Sequence, residues 1–219
     1  MRERHVLPDF ICLVGVDGCG KSTLARILQR ELAARGIRSR VVWLRMNYFL
    51  TRPVLLYCRL AGLTRRPVVA GQRISIHEFQ RSPLVAKVVQ YLHWLDTALA
   101  YFFKAFLPMR LRGETIICDR FVYDVLIDFI VESGNPGLHR NLIHRLLFGL
   151  LPRRAKLVLI KADREVIIAR RPDVLATDPH FDARFAEYAT IDRQYGLPVV
   201  DNNDSLEKAA SDVLSRVLG

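Results

Sequence analysis

The residues with the clearest chemistry are Gly15-Val16-Asp17-Gly18-Cys19-Gly20-Lys21-Ser22, set between the apolar run Phe10-Ile11-Cys12-Leu13-Val14 and Thr23-Leu24-Ala25-Arg26-Ile27-Leu28. Glycines at 15, 18 and 20 let a loop curl until its backbone N–H groups point at a polyphosphate, and a helix beginning at Lys21 places its positive end behind them. Lys21 is then within reach of the β- and γ-phosphates, and the Ser22 hydroxyl is placed for Mg²⁺. Gly15, Asp17, Gly18, Cys19, Gly20, Lys21, Ser22 and Thr23 make up the expected phosphate-binding set. Cys19 reads as a small filler of the loop. A reactive thiol is the alternative, because Lys21 and the helix N-terminus favour a thiolate.

A second group stands at Asp119-Arg120-Phe121, after the apolar run Thr115-Ile116-Ile117-Cys118. A buried strand that delivers an aspartate to its carboxyl end supplies what Mg²⁺-dependent phosphoryl transfer needs opposite the loop. Ser22 and Asp119 are therefore the candidate metal residues, and Arg120 is a candidate for charge neutralisation. Arg45, after Arg40-Val41-Val42-Trp43-Leu44, reaches the same edge.

The elements that must position these groups alternate strand and helix. Strands are predicted at 10–14, 40–44, 114–118, 156–161 and 197–201. Helices are predicted at 21–34, 82–107, 122–131, 139–151, 163–171, 183–193 and 206–218. This order predicts an α/β, three-layer P-loop NTPase fold: a parallel five-stranded sheet with helices on both faces and ligands at the carboxyl ends of the strands. Asp204-Ser205-Leu206-Glu207 reads as a capping box. Residues 46–81, broken by Pro53 and Pro67, are expected to form a helical excursion. The helix over 82–107 carries a polar stripe of Lys87, Gln90, His93, Thr97, Tyr101 and Lys104, so its apolar remainder is expected to be buried. Residues 170–182, with two prolines, have the character of a flap. Nothing marks a linker or repeat, so one domain over 1–219 is expected.

The chain carries 33 Lys and Arg against 22 Asp and Glu, a net charge of +11. That excess favours acidic partners, among them polyphosphates, nucleic acid and anionic membrane surfaces. Residues 52–81 hold six arginines but few interleaved aromatics and no nucleic-acid motif, so no nucleic acid is expected. Membrane contact is not expected either, because charges interrupt the long apolar helix. Four cysteines without CxxC spacing and no visible signal peptide indicate a reduced protein of the cytoplasm.

With Gly-Val-Asp-Gly-x-Gly-Lys-Ser-Thr at 15–23, Asp119-Arg120-Phe121 after the third strand and an arginine pair after the fourth, the chain resembles the thymidylate kinase family of P-loop kinases. The resemblance implies ATP as co-substrate, Mg²⁺, and a nucleoside monophosphate acceptor, with thymidylate foremost. By it, Asp17 lies near the acceptor sugar hydroxyl and Asp119 acts on Mg²⁺. Arg120 bridges toward the phosphates. Gly18 replaces a loop arginine of some members, so Arg170 or Arg171 is expected to close the charge from the flap. Asp17, Arg45, Asp96, Arg120 and Tyr123 become the acceptor-side residues, packing being the other reading for Tyr123, His93 and Trp94. The resemblance departs at Arg45-Met46-Asn47-Tyr48, Leu95-Asp96-Thr97 and Val122-Tyr123-Asp124-Val125, all on the acceptor side.

Two other functions fit the same residues. One is a kinase of a nucleoside or another small metabolite. The other is a nucleotide-binding ATPase or switch with a basic arm, although no Asn-Lys-x-Asp motif is present. The apolar helix leaves a homodimer as an expected assembly.

Overall fold

The computed structural model describes residues 8–45, 47–69, 72–73 and 75–218. Its centre is β1 (Phe10–Val14), every residue of which is fully buried. An unbroken apolar run is what a strand covered on both faces requires. Around it β2 (Ser39–Trp43), β3 (Thr115–Asp119), β4 (Lys156–Lys161) and β5 (Val199–Asp201) complete a parallel sheet in the order β2-β3-β1-β4-β5. β1 thus lies between β3 and β4, so the loop after it opens at the middle of the sheet's carboxyl edge, where the strand order reverses.

Helix α1 (Lys21–Ala34) buries Leu24, Ala25, Leu28 and Leu32 and packs against β2, β3 and the last helix, α10 (Leu206–Leu218). Ser205, rather than Asp204, caps α10 by accepting from Lys208 N at 3.3 Å. Helix α5 (Val122–Ser133) is buried over most of its length and packs against α6 (Leu142–Phe148) and α9 (Phe181–Tyr195). The α/β class, the five parallel strands and the flanking helices are as the residues predict.

Two regions differ. Among the described residues of 46–81, α2 (Arg52–Leu60) is the one α-helix. An arm of two short antiparallel pairs follows, Thr64–Arg65 with Ile76–His77 and Val68–Val69 with Gln72–Arg73. β-branched Thr64, Val68 and Ile76 favour this extended form, and Pro67 bars a helix. Met46 and the first seven residues, where the absence of a signal peptide was read, lie outside the described residues.

The second difference is α3 (Pro83–Tyr101), which runs through a π turn (Phe102–Phe106) into α4 (Leu107–Arg112). The widened turn precedes Pro108, whose missing N–H and ring disfavour a regular α register there. Gln90, His93, Asp96 and Thr97 are buried, while Leu84, Val88, Tyr91, Leu95 and Leu99 are exposed. The expected orientation is thereby reversed over the middle of the helix. The cause is long-range: Asp96 accepts from Phe49 N, Leu50 N and Thr51 N at 2.7–3.0 Å and from Thr51 Oγ1 at 2.7 Å, and His93 packs between Tyr48 and Phe129. A buried carboxylate with four donors holds the helix with its polar side inward.

Helix α7 (Arg164–Arg170) leads into the flap, which contains the one-turn helix α8 (Val174–Thr177). The flap is tied down by Val174 and Phe181, each about 1 % exposed.

Candidate active site

The loop from Gly15 to Gly20 presses against the ends of β4 and β5. Gly15, Gly18 and Gly20 all have positive φ. A Cβ on Gly15 would run into the Ile160 carbonyl oxygen, and one on Gly20 into the Asn202 side-chain amide. Only glycine allows these approaches. Asn202 Nδ2 also donates to Cys19 O at 2.8 Å, latching the loop to the segment after β5. Lys21 is 3 % exposed, and its Nζ donates to Gly15 O and Val16 O at 2.5 and 2.8 Å, so the ammonium lies inside the curl of the loop. Cys19 is fully buried, and burial pushes its thiol up despite neighbouring Lys21, which removes the reactive-thiol reading.

Ser22 and Asp119, candidates on separate elements, meet: Ser22 Oγ donates to Asp119 Oδ2 at 2.5 Å. The other carboxylate oxygen, Oδ1, is buried without a partner. A hydroxyl beside a carboxylate with an orphaned oxygen fits the one or two protein ligands that Mg²⁺ takes when phosphates and water complete its shell. Among the described residues no group of three or more His, Cys, Asp or Glu forms a metal cluster.

Arg120 follows with φ +75°, the one non-glycine residue in the left-handed region among those described. Its carbonyl accepts from Leu44 N at 3.3 Å, and its guanidinium pairs with Asp17 Oδ1. Arg45 reaches the other oxygen of Asp17 at 3.5 Å. Asp17 is thus gripped from two sides, and it lines two openings at once. One, of about 500 Å³, includes Ser22, Arg26, Asp119 and Arg120. The other, of about 350 Å³, is bounded by Tyr48, Ile76 and His77 from the arm side and by Arg171, Val174, Thr177 and Asp178 from the flap.

Behind the second cavity lies a charge network that the sequence reading missed. Arg45 gives Nε and Nη2 to the two oxygens of Asp128 at 2.6 Å each, a bidentate pair. Arg184 gives Nε to Asp128 Oδ1 at 3.0 Å, approaches Glu132 at 3.5 Å and pairs with Asp178. Burial works against the charge on Asp128, but Arg45 and Arg184 outweigh it and hold the carboxyl below its usual range. Glu132 gains no such advantage: burial and the Asp128 charge push it up to about 8. Asp124, buried and bonded to Tyr188 OH and Phe121 N, is raised by burial to about 6. The available signal was two aspartates four residues apart, Asp124 and Asp128, on an otherwise apolar helix. Nothing in the sequence marked Asn202.

The remaining candidates separate. Asp96 lies at the loop 49–51, its oxygens engaged there, and Tyr123 lies in an aromatic core with Phe148 and Tyr195. Neither lines the cavity. Arg170 donates to Asn202 O and Asn203 O at 2.7 and 3.2 Å, away from the cavity. Arg171 lines it, packs beside Gly18 and is paired with Asp173 at 2.7 Å.

No family model matches the chain. It is 26% identical to a thymidylate kinase of Geobacter sp. (strain M21) over 140 residues, 63% of this chain and 51% of that one. The same identity and coverage hold for a thymidylate kinase of Citrifermentans bemidjiense. The chain spans about half the length of these curated relatives. In three dimensions it is similar to the thymidylate kinase of Candida albicans, with a TM-score of 0.61 and 17% identity over 95% of this chain and 90% of that one. The chain therefore has the fold of thymidylate kinase and resembles thymidylate kinases in sequence over nearly two thirds of its length.

Proposed function

We propose that this protein transfers the γ-phosphoryl group of ATP, with Mg²⁺, to a nucleoside monophosphate, thymidylate being the foremost acceptor. One observation carries the reading. Asp17, gripped by Arg45 and Arg120, is shared by the cleft lined by Ser22, Asp119 and Arg120 and by the cavity between arm and flap. Donor and acceptor would meet at that residue.

Phosphoryl transfer asks a protein for alignment, exclusion of water and positive charge around the moving group. In this reading the loop N–H groups and Lys21 hold the ATP phosphates. Arg120, lining the cleft, and Arg171, lining the cavity, supply positive charge, and Asp17 orients the acceptor. Ser22 and Asp119 are the residues that would hold Mg²⁺, which when bound draws charge from the phosphate oxygens. The flap, already folded over the cavity, excludes water.

The test is incubation of the purified protein with ATP, Mg²⁺ and a panel of nucleoside monophosphates and nucleosides. ADP formation that depends on a monophosphate, with the diphosphate as product, supports the reading. ADP formation indifferent to any acceptor overturns it in favour of an ATPase, and transfer to a nucleoside alone moves the acceptor class.

The exposed apolar strip of α3 supports pairing of two copies. All four cysteines are free and buried, which suits a reducing compartment, and the cytoplasm is the proposed location. No helix among the described residues is long and apolar enough to cross a membrane.

A further inference from the structure

The cavity between arm and flap is lined by two buried guanidiniums that share one carboxylate. Arg45 and Arg184 are 5 % and 9 % exposed, and both bind Asp128. Arg45 also reaches Asp17, which Arg120 holds as well, so three guanidiniums face the two carboxylates Asp128 and Asp17 and an excess positive charge remains. Glu132 stands 3.5 Å from Arg184, yet its raised affinity for a proton keeps it largely neutral near pH 7. What offsets the excess is Asp178, a flap residue whose Oδ1 accepts from Arg184 Nη1 and from His180 N. Arg45, Arg184 and Asp178 all line the same cavity.

A carboxylate carried by a flap, bound to a buried guanidinium that faces a ligand cavity, stands where a ligand anion would be most favourably held. Burial strengthens such a pair, and an unpaired buried guanidinium is costly, so some anion must occupy the place. We propose that Arg184 binds the phosphate of the acceptor, and that Asp178 is an internal anion which holds that place until the phosphate displaces it. The proposal rests on the reading of the protein as a nucleoside monophosphate kinase, and it adds a residue on α9 and a competing group on the flap.

Competition gives the two residues effects of opposite sign, whereas a purely structural ion pair would make both variants worse. The experiment is calorimetric titration of the whole protein, without ATP, using thymidine monophosphate and separately thymidine. Asp178→Asn is expected to bind the monophosphate about three- to tenfold more tightly, and Arg184→Met at least about tenfold more weakly, as charge-assisted contacts of this kind allow. Thymidine binding is expected to change less than about twofold in both, or to stay below detection. Asp178→Asn that binds the monophosphate no better than the unaltered protein, or that alters thymidine binding by the same factor, overturns the proposal. If Arg184→Met does not fold, Asp178→Asn decides alone. Turnover separates the two readings. A protein that binds as expected and transfers nothing overturns the kinase assignment, while a working kinase whose Asp178→Asn variant gains no affinity overturns only the role of Arg184.

Discussion

Ser22 Oγ lies 2.5 Å from Asp119 Oδ2 although the two residues are 97 positions apart in the chain. The contact joins the first turn of α1 to the end of β3, and Asp119 Oδ1 beside it has no partner. Asp119→Asn is expected to raise the Mg²⁺ concentration for half-maximal activity by about tenfold or more, with a smaller change in ATP affinity. Metal titrations of activity, set against nucleotide binding, check this. Equal losses in both would remove Asp119 from the metal site.

Lys21→Ala is expected to abolish phosphoryl transfer while the protein stays folded. The variant frees the carbonyls of Gly15 and Val16, at a cost of about 1–3 kcal/mol. Circular dichroism and a thermal melt confirm the fold, and a folded variant with residual transfer would overturn the mechanism.

The adjacent arginines of the flap are expected to behave differently. Arg171 faces the cavity beside Gly18, whereas Arg170 is committed to the carbonyls of Asn202 and Asn203. Arg171→Ala should lower kcat by about 10³-fold or more, in the range of such arginines. Arg170→Ala should lower the melting temperature more than it lowers kcat. The reverse order in steady-state kinetics would return the role to Arg170.

Glu132 sets a pH dependence of stability. Its ordinary value is 4.5 and its folded value about 8, so the native state keeps a proton that the unfolded chain has released between these limits. Its contribution is full below about pH 4.5 and is lost as pH rises toward 8, on the order of 5 kcal/mol at most. Asp124, raised from 3.8 to about 6, acts in the same direction at lower pH. Asp128, held low, acts oppositely, losing its contribution as pH falls below 3.8. Urea unfolding at pH 5 and pH 8 should show the loss, and Glu132→Gln should largely remove it.

Leu84, Val88, Tyr91, Leu95 and Leu99 form an exposed strip on α3, continued by Phe102 and Phe103. Contiguous apolar surface of this kind marks an interface. Sedimentation equilibrium is expected to give a dimer, and Leu95→Lys a monomer with a weakened or absent association. A monomeric parent protein would refute the pairing.

What the sequence made legible was local. β1, α1 and β4 fall where an apolar run and a 3.6-residue period end at glycine or a charge, and Asp119 was placed at its strand end by the same logic. The arm was missed because strands of two residues carry no period. The orientation of α3 was reversed because Asp96 answers to N–H groups some 45 residues away. Arg184 was invisible for a similar reason: its meaning depends on Asp128, 56 residues earlier. Arg170 and Arg171 are alike as letters, and only the path of the chain after α7 separates them.

The bond from Asn202 to the Cys19 carbonyl closes a span of 183 residues. A ribosome adding about 5–20 residues per second takes roughly 10–40 s to cover that distance. The loop thus waits that long for the segment at Asn202 before its backbone is latched. For the first part of that interval β1 has neither of its sheet neighbours, because the nearer one in sequence begins only at residue 115. A mutation at Asn202 would leave that interval unchanged and be felt only afterwards, in how firmly the folded loop is held.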